Sequence, residues 1–355
     1  MIPAAHTTLT QFVIDEQRAT EGTADELSGL ISEVGLACKI MATMVSRWPL
    51  TRIDDSPEPE AASGQRATES SASEFLVRAR EWSGHLGHAM WHNADAMFRG
   101  VSEYARHGYL LVFEPIDRWP NLDINVSVGS MFSISRVPGA GEGSESVQPP
   151  IGAAQVCAGY AIYGPSTIFV LATEHGVNGF TLDRAVGEFV LTHPSLTIAH
   201  EAQDFAINTS SSRFWTSAIK RYVDECVAGH NGPRGRDFNM RWNGSLVTEL
   251  HRTLMRGGLC CYPRDPEGRN ESRCLRLVRE ANPVAYIVEK AGGAASTGTE
   301  RVLGIEPESR EQRVTIVFGA RFEVELIERY HRESAQGSYS SPLFNTRGLF
   351  ESEVN

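Results

Sequence analysis

The stretch "AQVCAGYAIYGPSTIFVLAT", residues 154–173, decides the fold class. Two apolar runs meet at Gly164-Pro165-Ser166, a turn signal, so the segment reads as two adjacent antiparallel strands. The same texture runs from residue 109: "YLLVF", "INVSVGSMFSISR" (124–136), "GFTLD" and "EFVLT" follow one another as short strands, with 139–150 as a connecting loop. They predict a substantial, largely antiparallel sheet. Upstream, Leu27, Leu30, Ile31, Val34, Leu36, Ile40, Met41, Met44 and Val45 recur at helical spacing, so 24–47 is predicted as a long amphipathic helix with Thr23 as its cap. Segment 53–73 is polar, small and proline-containing, as in a mobile loop, and a helix is expected at 74–82. Beyond about 198 the pattern becomes α/β: helices over 212–228, 244–257, 283–291 and 321–331, and strands near 258–262, 274–279 and 313–318. The domain reading is an N-terminal α+β half (1–197), a C-terminal α/β half (198–333) and a tail (334–355).

Composition narrows the function. A chain of 355 residues, 41% hydrophobic, can bury a large core. A net charge of −11 argues against nonspecific nucleic-acid binding, which needs clustered cations to neutralise phosphates. No run approaches the roughly 20 consecutive apolar residues of a membrane span, and Met1 to Arg18 lacks a basic region followed by an apolar one. The expectation is a cytoplasmic protein with no membrane partner. Six cysteines show neither CxxC pairs nor zinc spacing and read as reduced, buried thiols.

Candidate chemistry sits where "LLVF" runs into Glu114-Pro115-Ile116-Asp117, two carboxylates at the end of a strand, as a divalent cation site requires. Arg118-Trp119-Pro120 then follows, a poor way to complete one.

Six ordered stretches together resemble the class I fructose-1,6-bisphosphatases, particularly the bacterial branch: "TLTQFVIDEQR" (8–18), "NVSVGSMFSI" (125–134), "AGYAIYGPSTIFVLA" (158–172), "FTLDRAVGEFVLT" (180–192), "FNMRWNGSLVTELHRTLMRGG" (238–258) and "LRLVREANPVAYIVEKAGGAASTG" (275–298). The resemblance implies a layered α-β-α-β-α sandwich of the fructose-1,6-bisphosphatase and inositol-monophosphatase type. It also implies a homotetramer, and hydrolysis of the 1-phosphate of fructose 1,6-bisphosphate with magnesium ions held by carboxylates. The family's Asp-Pro-x-Asp-Gly-Ser-Ser-Asn run reads Glu114-Pro-Ile-Asp117-Arg118-Trp119-Pro120-Asn121 here. Asp117 and Asn121 match, and Asp123 matches a downstream aspartate; Glu114 is one methylene longer. A Cβ, an indole and a proline replace the Gly-Ser-Ser that offers donors to the phosphate, which reads equally as a packed loop with Trp119 half buried.

By register, the family's Glu-Glu pair falls on His92 and Asn93. His85, His88 and His92 read as ordinary hydrogen-bonding residues rather than a zinc site. Glu69 is the acidic remnant of a shortened loop. Glu280 stands at the C-terminal metal carboxylate and Arg276 matches a substrate contact, whereas Cys274 replaces a lysine and Glu311 a histidine. Asn208, Arg241 and Tyr262 match the 6-phosphate pocket, with Arg241 reaching a neighbouring subunit's site.

By resemblance, then, Glu114 and Asp117 are the catalytic candidates. Glu114, Asp117 and Glu280 are the metal candidates, for magnesium held weakly or not at all, with manganese or zinc as alternatives. Asn121, Asn208, Arg241, Tyr262 and Arg276 are the sugar-phosphate contacts. Two readings stay open: a phosphatase of reduced activity, or a noncatalytic paralogue that binds phosphosugars or assembles with an intact family member.

Overall fold

The computed structural model describes residues 7–19, 25–48, 50, 88–91, 98, 99, 109–118, 120–136, 151–263 and 274–335. The expectations for 53–73, 74–82, His85, His92, Asn93, Trp119 and 336–355 lie outside these residues.

The strands read from residue 109 onward assemble, with two the sequence did not suggest, into an eight-stranded sheet among the described residues. The unforeseen pair is β1 (His88–Trp91) and β2 (Phe98–Arg99); the others are β3 (Tyr109–Glu114), β4 (Val128–Arg136), β5 (Gln155–Tyr163), β6 (Thr167–Thr173), β7 (Gly176–Asp183) and β8 (Glu188–His193). Their order is β2-β1-β3-β4-β5-β6-β7-β8, antiparallel throughout except where β1 pairs parallel to β3. Along β3 and β4 every residue but Arg136 is buried, so both faces of the sheet are covered and the strands read as continuous apolar runs. The strand expected from Ile124 begins at Val128 instead. Pro120–Asp123 forms a short helix, α3, Asn125 turns at φ 56°, and the Val126 N–H closes the turn on the Asn121 carbonyl at 2.9 Å.

On one face lie α1 (Leu9–Ala19) and α2 (Asp25–Arg47), whose Val13, Leu30, Val34, Cys38 and Met41 pack with Phe132, Phe169, Phe180 and Phe189 of the sheet. Each such fully buried side chain contributes roughly 1.5–3 kcal/mol. By length and mean hydropathy (1.4), Leu27–Arg47 could cross a membrane, which a search for uninterrupted apolar runs misses. Its buried residues recur at helical spacing against the sheet, as in a core helix.

The opposite face packs on α5 (Leu246–Arg256) and α6 (Asn282–Lys290), and these in turn cover a second sheet. That sheet, in the order β10-β9-β11-β15-β13, is built from β9 (Asp204–Ile207), β10 (Asn239–Met240), β11 (Leu259–Tyr262), β13 (Ala294–Ser296) and β15 (Ile316–Gly319). Seven of the nine residues of α6 are buried, as a helix between two sheets requires. Outermost, α4 (Ser217–Ala228) and α7 (Arg321–Ser334) close the far face. The α-β-α-β-α layering is therefore present as expected, and all six cysteines are buried thiols outside any disulfide.

Three boundaries differ from expectation. The helix predicted from 212 starts at Ser217, because Asn208 caps a separate 3-10 turn (Thr209–Phe214) and Thr216 caps α4. The strand predicted over 274–279 shortens to β12 (Leu275–Arg276), and a π-helical turn, Leu277–Ala281, carries the chain into α6. The run near 313–318 divides into β14 (Arg313–Val314), paired with β12, and β15.

Candidate active site

A cleft of about 530 Å³ opens where β3 ends, bounded by the N-terminus of α5, the end of β11 and the β12–β14 ribbon. It gathers Glu114, Asp117, Asn208, Tyr262, Arg276 and Glu280 from the sequence candidates. Asn121 and Arg241 do not line it: Asn121 sits in α3, and Arg241 is exposed just after β10, its backbone N–H on the Phe205 carbonyl at 2.8 Å.

The corner that carries Glu114 and Asp117 is anchored from beneath. The Ser130 hydroxyl donates to the Pro115 carbonyl at 2.5 Å and lies 2.6 Å from the Tyr163 hydroxyl, which in turn hydrogen-bonds Cys38 of α2. A chain of buried polar contacts thus runs from the outer helix through the sheet to the corner.

Glu114 ends β3 and is 5% exposed. Burial, with the nearby charge of Glu280, pushes its carboxyl up to about 8, against the opposing charges of Arg276 and Arg279. Arg276 Nη1 stands 3.9 Å from Glu114 Oε2, too far for a tight ion pair.

Asp117 is committed differently. Its Oδ1 accepts the Gly129 N–H at 3.0 Å, and its Oδ2 accepts the Ser245 hydroxyl at 2.6 Å and the Val247 N–H at 3.0 Å. Ser245 is the N-cap of α5 and Val247 lies in its first turn, so this carboxylate serves orphan donors of the helix. The approach is so close that a Cβ on Gly129 would collide with Val247 and the Ala161 carbonyl. Burial raises the Asp117 pKa despite these hydrogen bonds.

Glu280 projects from the π-helical turn, and its Oε2 accepts the Arg276 N–H at 2.6 Å. Its pKa too is raised, first by burial, with Arg276 and Arg313 opposing. Asn208 spends its amide oxygen on Ser210, taking the N–H at 3.1 Å and the hydroxyl at 2.7 Å. The Tyr262 hydroxyl is buried at the cleft and has no hydrogen-bond partner among the described residues, a state that costs stability unless a ligand supplies one.

Sequence reasoning missed other members. Arg118, counted there only as the loss of a glycine, lines the cleft and donates its Nε–H to the Gly244 carbonyl at 2.9 Å. Pro120 opens α3, where the first position needs no N–H. Arg313 also lines the cleft, its Nη1 on the Cys274 carbonyl at 2.8 Å. Arg279, three residues beyond Arg276 in "LRLVRE", pairs with Glu311. The recurrence of arginine at that spacing was the available signal.

Among the described residues, no three carboxylate, imidazole or thiol groups are placed to hold one metal ion. Asp117 gives both oxygens to the chain, leaving Glu114 and Glu280, the charge of the second raising the cost of ionising the first in the buried cleft. Among the described residues, these two carboxylates are the oxygen donors suited to a divalent cation, a number that magnesium completes with water and substrate phosphate.

Comparison with known proteins agrees on one family. Residues 7–194 match the family model described as fructose-1-6-bisphosphatase, N-terminal domain, and residues 198–332 match the corresponding C-terminal domain model. The chain is 47% identical over 348 residues to fructose-1,6-bisphosphatase class 1 3 of Methylibium petroleiphilum, covering 97% of each chain. It is 43% identical over 356 aligned positions to fructose-1,6-bisphosphatase class 1 of Rhodospirillum rubrum, covering 99% of each. Among solved structures, the holo form of Leishmania major fructose-1,6-bisphosphatase superposes with a TM-score of 0.78 at 30% identity, covering 92% of this chain and 99% of that one. With both halves of the fold matched in order and relatives aligned almost end to end, the chain belongs to the bacterial class I fructose-1,6-bisphosphatase family.

Proposed function

We propose that this protein hydrolyses the 1-phosphate of fructose 1,6-bisphosphate, giving fructose 6-phosphate, in the cleft at the end of β3. The observation that carries the reading is the gathering of Glu114 and Glu280 with Arg276 and Arg313 in one cleft, beside a Tyr262 hydroxyl that has no partner among the described residues. The guanidinium groups of Arg118, Arg276 and Arg313 attract and orient a phosphate, and Tyr262 donates its O–H to one. Glu114 and Glu280 would hold one magnesium ion, or manganese in its place. Such an ion neutralises charge on the phosphoryl group and acidifies a bound water. In its absence Glu114 holds a proton at neutral pH, so cation binding releases that proton and strengthens as pH rises toward 8. Turnover is expected below that of a chain with the family's complete carboxylate set, because one ion does the work of several. Arg241, exposed outside its own cleft, suits the proposed role in a neighbouring subunit of a homotetramer.

One observation favours a second reading, a noncatalytic protein that binds phosphosugars or assembles with an intact family member: Asp117, the residue matching the family motif, is occupied with capping α5. Phosphate release from fructose 1,6-bisphosphate with magnesium or manganese, set beside calorimetry with fructose 6-phosphate, separates the two. Release supports the phosphatase; binding without release supports the binder.

A further inference from the structure

Glu311, whose side chain is 59% exposed, divides its carboxylate between two arginines. Its Oε2 lies 3.2 Å from Arg276 Nε, and its Oε1 accepts a hydrogen bond from Arg279 Nη2. The arginine side chains are the reverse of exposed, at 16% and 8%. The Nε atoms of both are buried and complete no hydrogen bond among the described residues, so Glu311 meets Arg276 as an ion pair without hydrogen-bond alignment.

The arrangement is lopsided. A carboxylate at the rim returns to water at little cost, whereas two buried guanidinium groups require an anion in its place. Two donors converging on the two oxygens of one acid is also how guanidinium groups grip a phosphate monoester. Arg276 lines the cleft and Glu311 does not, so an anion arriving in the cleft meets Arg276 with Glu311 already attached.

We propose that Glu311 is an internal competitor for the anion: a phosphate group entering the cleft binds Arg276 by displacing the Glu311 carboxylate, and Glu311 thereby holds down the affinity of the cleft for anions. This rests on the cleft being a phosphosugar site, as proposed above.

The test is calorimetry of the full chain with inorganic phosphate, fructose 6-phosphate and gluconate. Glu311→Gln should tighten both phosphate ligands, and gluconate alike, by about twofold to fivefold, the worth of a partly exposed ion pair. Glu311→Asp, which keeps the charge on a shorter arm, should fall between. In an Arg276→Gln background the gain should vanish. Unchanged or weaker phosphate binding in Glu311→Gln, or an equal gain without Arg276, would overturn the proposal. Because binding is read without hydrolysis, tightened binding in Glu311→Gln with no phosphate release from the wild type sinks the phosphatase reading alone, and an active wild type with unaltered affinity in the variant sinks this one alone.

Discussion

Replacing Glu114 by glutamine removes a charge while keeping the shape, and should stabilise the protein at alkaline pH. Burial and Glu280 raise the carboxyl from its ordinary 4.5 to about 8, so the native state binds the proton more tightly than the unfolded chain does. Stability from this group is therefore complete below pH 4.5 and is lost as pH rises to about 8. At roughly 1.4 kcal/mol per pH unit, the loss reaches about 5 kcal/mol as an upper bound. Glutamine pays none of it, though it forgoes the attraction of Arg276 and Arg279. Urea unfolding of both proteins at pH 5 and pH 8.5 should show little difference at the lower pH, and the variant more stable by about 2–4 kcal/mol at the higher. Millimolar magnesium at pH 8.5 should recover part of the deficit in the wild type and do nothing for the variant. A variant no more stable than the wild type at pH 8.5 would refute the reasoning, because Glu114 would then be ionised in the native cleft without cost.

Asp117→Ala strips two hydrogen bonds from the start of α5 and one from Gly129 of β4 and should cost about 3 kcal/mol in urea unfolding, with Asp117→Asn costing less; a near-neutral alanine variant would mean that the carboxylate does not hold the helix start. Ser130→Ala cuts the anchor under Pro115 and should cost about 1–2 kcal/mol, and the pH midpoint of Glu114-dependent stability should move with it. Tyr262→Phe should leave stability unchanged or slightly improved, since the hydroxyl has no partner among the described residues, yet weaken fructose 6-phosphate binding about tenfold by calorimetry. Equal affinity would place that hydroxyl outside the ligand contacts.

The layers were legible because their periodicity is simple. The apolar runs of β3 to β6 and the helical spacing in α2 each have one packing solution, a sheet covered on both faces. Boundaries were harder where a side chain overrode the pattern. Asn208 and Thr216 cut the predicted 212–228 helix in two, and the π-helical turn at Leu277 displaced most of a strand. Of the candidate site, the residues at or just beyond strand ends were foreseeable: Glu114, Tyr262, Arg276 and Glu280 all meet in the cleft. What the sequence could not reveal was the partner of each group. Asp117 looks identical on paper whether it faces a cation or a helix terminus; only the position of Ser245, 128 residues away in the chain, distinguishes them. The arginines were similarly hidden, since Arg279 and Arg313 acquire meaning through the β12–β14 pairing that sets them beside Glu311 and the cleft.

Phosphate release from fructose 1,6-bisphosphate, followed against magnesium concentration at pH 8, bears most directly on a cleft that works with one cation between Glu114 and Glu280. The expected result is slow, magnesium-dependent release that saturates with a Hill coefficient near one and disappears in Glu114→Gln and Glu280→Gln. No release at any magnesium or manganese concentration from folded protein that binds fructose 6-phosphate, or a steep dependence on two or more ions, would contradict it.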